Sequence, residues 1–132
     1  MNKDIKKLNS VAWIFQQGET LLCVKSKGKE KYFIPGGKLE NGETNEAALL
    51  REIKEELGID LLPDSIRFQF DITDQAYGLQ DTHLTMSCYT ADFSGELMPD
   101  SEIETADFLG LSQLDLCAPA AQQTLQKVLK SE

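Results

Sequence analysis

Apolar residues along this chain switch between two periods. Val11, Trp13 and Phe15 interleave with Ala12 and Ile14, which predicts a strand buried on both faces after a polar lead-in over residues 1–8. Gln17-Gly18 marks a turn, and Leu21–Val24 reads as the returning strand. Lys25, Lys27, Lys29 and Lys31 surround Gly28 in a predicted exposed loop suited to steering phosphates. Tyr32-Phe33-Ile34 is a short apolar segment stopped by Pro35-Gly36-Gly37, and Asn41-Gly42 gives a second turn. Ile66, Phe68, Phe70 and Ile72 alternate with polar residues, as do Leu84, Met86 and Cys88, predicting two longer strands joined by a loop containing Gly78. A further strand is expected within Glu102–Leu111. Residues 118–130, with Ala121, Leu125, Val128 and Leu129, form an amphipathic helix that either completes the core or makes a homodimer interface. The pattern is that of one mixed α/β domain over residues 1–132.

The intervening helix carries the chemistry. Thr44 is placed to cap it, and Gly58 to end it in a left-handed conformation after Leu57. With Leu50 set at 0°, Ile53 falls at about 300°, Leu57 at about 340° and Ala47 at about 60°, an apolar stripe. Glu52, Glu55 and Glu56 fall at about 200°, 140° and 240°, on the other side. Like charges at this spacing repel unless solvent, lysines or a bound cation intervene. Ala48 and Leu49 lie among them, so the acids are expected to line a cleft rather than a solvated face. Mg²⁺ suits such a site because it takes hard oxygen ligands and keeps waters for substrate phosphates. Gly36 and Gly37 allow close backbone approach, and a carbonyl there is a further candidate ligand.

Composition narrows the alternatives. The chain has 132 residues, 41% of them hydrophobic, and carries 13 Lys and Arg against 22 Asp and Glu, a net charge of −9. Such a field repels nucleic-acid polymers. The excess is local: residues 37–59 carry a net −3 and residues 100–107 a net −4. The longest apolar run near the start, Val11–Phe15, is too short for a signal or membrane segment, so the chain is expected to be cytoplasmic. Cys23, Cys88 and Cys117 are odd in number and widely spaced, which fits a reducing compartment and no disulfide framework. His83, the one histidine, is expected to be an ordinary polar strand residue.

Read in full, Gly37 is followed after five residues by Glu43 and after seven more by Arg51-Glu52-Ile53-Lys54-Glu55-Glu56-Leu57-Gly58-Ile59. This resembles the Nudix box, G-x5-E-x7-R-E-U-x-E-E-x-G-U, at all nine defined positions, and the chain looks like a MutT-like Nudix hydrolase. A looser likeness runs from about Val11 to Leu114. The resemblance implies a mixed β-sheet sandwiched between α-helices. It implies hydrolysis of a nucleoside diphosphate linked to another moiety, with Mg²⁺ or Mn²⁺ as cofactor. By position, Glu52, Glu55, Glu56 and the Gly36 carbonyl would hold the metal, Glu43 and Arg51 would pair structurally, and Lys38 would contact a phosphate. Glu52 is the first candidate for general base, Glu102 the second, and Glu104 the reserve.

The default substrate is a small nucleotide such as a (deoxy)nucleoside triphosphate. Tyr77 keeps open a dinucleoside polyphosphate, and nucleotide sugars are a further alternative, although Asp74 and Gln75 stand where ADP-ribose-type members usually have a proline. A non-catalytic nucleotide-binding module is a different class. Such modules commonly lose box carboxylates, and this sequence keeps all of them.

Overall fold

The computed structural model describes residues 6–75 and 81–130. Tyr77 and Gly78 lie outside them. Strand β1 (Lys6–Trp13) is followed by β2 (Gln16–Gln17), β3 (Thr20–Ser26) and β4 (Gly36–Lys38). Helix α1 (Asn45–Leu57) leads through β5 (Asp60–Leu61) to β6 (Arg67–Gln75) and β7 (Thr82–Thr90). Then come β8 (Phe93–Ser94), β9 (Ile103–Leu109) and helix α2 (Pro119–Leu129). The main sheet has the order β4-β1-β7-β6, and a second sheet the order β2-β3-β9. An isolated bridge between Val24 and Phe33 joins β3 to the segment that leads into β4.

The alternation in β1 and β3 separates two cores. Val11, Trp13, Leu22 and Val24 face the layer that holds α1. Ala12, Ile14, Leu21 and Cys23 face the layer that holds α2. Helices on both sides explain why these strands are nearly continuously apolar. Helix α2 buries Ala120, Ala121, Thr124 and Leu125, so it belongs to this core. Among the described residues no helix is long and apolar enough to cross a membrane.

Three expectations are modified. Strand β1 starts at Lys6, inside the polar lead-in, because Lys6 through Trp13 pair in parallel with Thr82 through Tyr89. Backbone pairing there overrides side-chain polarity. A register shift between Phe68 and Phe70 breaks the alternation expected of β6. Phe68, 56% exposed, leans on Tyr89, whereas Phe70 packs on the α2 core.

The third concerns α1. Thr44 accepts a hydrogen bond from the Ala47 N–H at 3.1 Å, and Gly58 ends the helix at φ 69°, both as expected. The buried residues, however, are Ala48, Leu49, Ile53 and Leu57. Ala47 is exposed and Leu50 only half-buried. The stripe is thus rotated toward the carboxylates, and Glu52 and Glu56 lie on the buried side of the helix. Leu49→Ala should cost about 2–5 kcal/mol and Leu50→Ala much less, a contrast that denaturant titration of both variants checks.

Candidate active site

Strand β4 is the edge strand beside β1, under α1, and presents Gly36 and Gly37 to the helix. Pairing of Val11 with Gly37 and Ala12 with Gly36 sets this register. Each glycine leaves space that a Cβ would fill. A Cβ on Gly36, whose φ is 147°, would come within 1.9 Å of the Val11 carbonyl oxygen. A Cβ on Gly37 would come within 2.4 Å of the Glu52 carboxylate. The second clash is with the end of a flexible side chain. Gly37→Ala should therefore keep the fold but push Glu52 aside, which thermal melts paired with turnover measurements would detect as near-wild-type Tm and lost activity.

The turn leading into α1 is held by Arg51. Its Nε donates to Glu43 Oε2 at 2.7 Å and its Nη2 to Glu43 Oε1 at 2.9 Å, a two-pronged pair. The same Nη2 donates to the Lys38 carbonyl at 3.1 Å. Glu43 Oε1 also accepts from the Glu40 N–H at 2.8 Å. The Arg51 hydrogen bonds, helped by that N–H, hold the Glu43 carboxyl at about 2. Arg51 Nη1 reaches Glu52 Oε2 at 3.2 Å and Glu55 Oε1 at 3.6 Å.

The three helix acids differ in setting. Glu55 is 52% exposed, whereas the Glu52 side chain is only 17% exposed. Burial raises the Glu52 carboxyl above its ordinary value, partly opposed by Arg51. Glu56 is more enclosed: burial pushes it up to about 8, despite a hydrogen bond of 3.1 Å from the Gly36 N–H. Among the described residues no cation lies within ion-pairing distance of it.

The acidic stretch after β8 reaches the same helix end. The Asp100 N–H donates to the Glu56 carbonyl at 2.9 Å, and the Met98 N–H to the Leu57 carbonyl at 3.0 Å. Glu102 is exposed, and its carbonyl accepts from the Lys27 N–H at 2.8 Å. Glu104 turns to Lys25 at 3.8 Å. Lys38 is exposed on β4. His83 is exposed on β7, and Trp13 is a core residue stacked on Phe15 with centroids 5.0 Å apart.

A cavity of about 280 Å³ opens beside these acids, between the sheets and α2. Glu56, Gly36 and Gly37 form one part of its wall, and Lys29 reaches it from the lysine loop. Lys38 does not line it. The cavity also includes Ser10, a residue that polarity and spacing did not single out. Its signal is a hydroxyl in the buried stretch that continues through Val11–Trp13.

Carboxylates and a backbone carbonyl are the donors a hard divalent cation prefers. The half-buried Glu56, without a cationic partner among the described residues, fits that chemistry. Among the described residues no three His, Cys, Asp or Glu side chains already stand close enough together to hold an ion. Arg51 draws Glu52 and Glu55 toward itself, so an ion would have to compete with it.

The family model described as NUDIX domain matches residues 6–130. The chain belongs to this family. The 8-oxo-dGTP diphosphatase of Proteus vulgaris is 44% identical over 56 residues, 42% of this Nudix chain and 46% of that protein. The match therefore spans less than half of that relative. The ADP-ribose pyrophosphatase of Methanocaldococcus jannaschii is 29% identical over 123 residues, covering 85% of this chain and 71% of that one. The crystal structure of a MutT NUDIX hydrolase from Burkholderia pseudomallei superposes with a TM-score of 0.74 at 25% identity, covering 93% and 98% of the two chains. That of a MutT protein from Methanosarcina mazei Go1 reaches 0.76 at 13% identity, covering 96% and 95%. The α/β Nudix fold expected from the box is the fold observed.

Proposed function

We propose that this Nudix chain is a divalent-metal-dependent pyrophosphohydrolase acting on a small nucleotide, a (deoxy)nucleoside triphosphate in the first instance. The observation that carries the reading is the position of Glu56. Its carboxylate is largely withdrawn from solvent, has no cation within ion-pairing distance among the described residues, and sits in the wall of a mostly apolar cavity of about 280 Å³. The names of the two relatives, an 8-oxo-dGTP diphosphatase and an ADP-ribose pyrophosphatase, support a nucleotide diphosphate linkage as the target. A cytoplasmic setting suits the three cysteines, all free and buried.

Glu52, Glu55, Glu56 and the Gly36 carbonyl would hold Mg²⁺ or Mn²⁺. When bound, the ion screens acid from phosphate, polarises the phosphorus–oxygen bonds and lowers the pKa of water. The protein's own residues do the rest. Glu43 and Arg51 fix the turn against α1, and Lys38 or Lys29 meets the phosphate chain. Glu52, whose proton affinity burial raises, takes a proton from the attacking water. Glu102 is the second candidate for that role, and its exposure leaves it free to reach inward. Glu104 is engaged by Lys25 and is the weaker reserve.

A panel of nucleoside triphosphates, nucleotide sugars and dinucleoside polyphosphates, incubated with Mg²⁺ and read by product mass, tests the reading. Cleavage of a triphosphate to a nucleoside monophosphate and pyrophosphate is expected. Absence of any metal-dependent cleavage across the panel overturns it.

A further inference from the structure

We infer that Ser10 is the residue by which this cavity selects the base of its nucleotide, an assignment that rests on the nucleotide reading above. The cavity has apolar walls, to which Phe33, Ile34, Leu84, Met86, Ala120 and Ala121 contribute. At about 280 Å³ it lies at the small end of ligand sites, roughly 300–1,000 Å³. That is a volume on the scale of a single base.

Its polar side chains are few. Lys29 and Gln75 are exposed, Ser26 is half-buried, and Glu56 belongs to the acid cluster. Among these the neutral polar residue most withdrawn from solvent is Ser10, at 9% exposure. Its backbone is taken up by strand pairing, opposite Lys38 on one side and Met86 on the other. Its hydroxyl has no hydrogen-bond partner among the described residues. Nor is it sealed in: no side-chain polar atom in the described structure is both fully enclosed and unpartnered, so the hydroxyl keeps access through the cavity.

A serine is a poor choice for packing at this position. Val11, Ala12 and Trp13 follow it in the same buried strand, and a β-branched apolar residue would suit the site better. A hydroxyl with no protein partner, set in a mostly apolar wall, is a local conflict of the kind that proteins keep at functional sites. Serine offers one donor and two acceptor lone pairs, so it can meet a keto or an amino edge of a base. In a wall that is otherwise mostly apolar, that single edge contact becomes the discriminating one.

Wild type, Ser10→Ala and Ser10→Thr are titrated by NMR with the common nucleoside monophosphates, without added metal. Thermal melts confirm that each variant is folded. Saturable binding with a ranking among bases is expected for wild type. Ser10→Ala should weaken the best ligand about 3- to 10-fold, the worth of one neutral hydrogen bond, and flatten the ranking. Ser10→Thr, which keeps the hydroxyl, should preserve the ranking. Undetectable binding, or unchanged affinities and ranking in Ser10→Ala, overturns the assignment. Hydrolysis by wild type is scored separately. Base-ranked binding without hydrolysis would defeat the enzymatic reading and leave Ser10 standing, whereas hydrolysis with an unaltered Ser10→Ala ranking would do the reverse.

Discussion

Glu56→Gln should abolish turnover and at the same time make the metal-free protein more stable above pH 8. The loss of activity follows from removing a charge that the bound ion needs, and a drop on the order of 10³-fold in kcat is expected, as for other lost electrostatic stabilisers. The stability gain follows from linkage. An ordinary glutamic acid ionises near 4.5, but the enclosed Glu56 does so only at about 8. Its folded-state value is raised, so ionisation opposes folding. The penalty is absent below about pH 4.5, grows between 4.5 and 8, and is complete above 8. Glutamine keeps an oxygen for the Gly36 N–H and carries no charge. The gain in chelated protein should be several kcal/mol, with about 5 kcal/mol as the ceiling for a shift from 4.5 to about 8, read by denaturant titration at pH 5 and pH 9. An equal difference between variant and wild type at both pH values, or activity retained by the variant, would contradict this role.

Arg51→Lys should be far from conservative. The guanidinium supplies two prongs to Glu43, a contact to the Lys38 carbonyl and reach to Glu52 and Glu55, and a single ammonium cannot reproduce that fork. A shift of the turn by about 1 Å is enough to lower turnover on the order of 10²-fold. The variant should also change the acid limb of stability. Glu43 is held at about 2, below its ordinary 4.5, so its pairing stabilises the fold above 4.5 and that contribution fades as pH falls through 2. Melts between pH 2 and 6 should show a shallower acid dependence in Arg51→Lys. A parallel profile with undiminished turnover would remove Arg51 from this role.

The box was legible because its nine defined positions are mostly residues with fixed jobs. Thr44 and Gly58 also announced the helix ends through capping chemistry that needs no tertiary context. Helix rotation was less legible. Leu49 and Leu50 are adjacent and both apolar, and the usual assumption that acids face away from the core favours Leu50. The fold instead buries Leu49 beside Glu52 and Glu56, a choice made by packing of α1 on β1 and β4. The bulge near Gln69 left no mark in the alternation of Phe68 and Phe70 because both residues are apolar. Ser10 stayed hidden for a related reason: a serine at the start of a strand looks ordinary until its neighbours show what its hydroxyl lacks.

The central claim is that the α1 carboxylates form the metal site, and Mn²⁺ titration followed by electron paramagnetic resonance tests it most directly. Wild type should bind Mn²⁺ saturably. Glu56→Gln and Glu52→Gln should each weaken that binding by more than about tenfold, the loss that removing even a supporting partner of a metal ligand causes. Wild-type affinity in both folded variants would show that the ion sits elsewhere, and the assignment of these acids would fall.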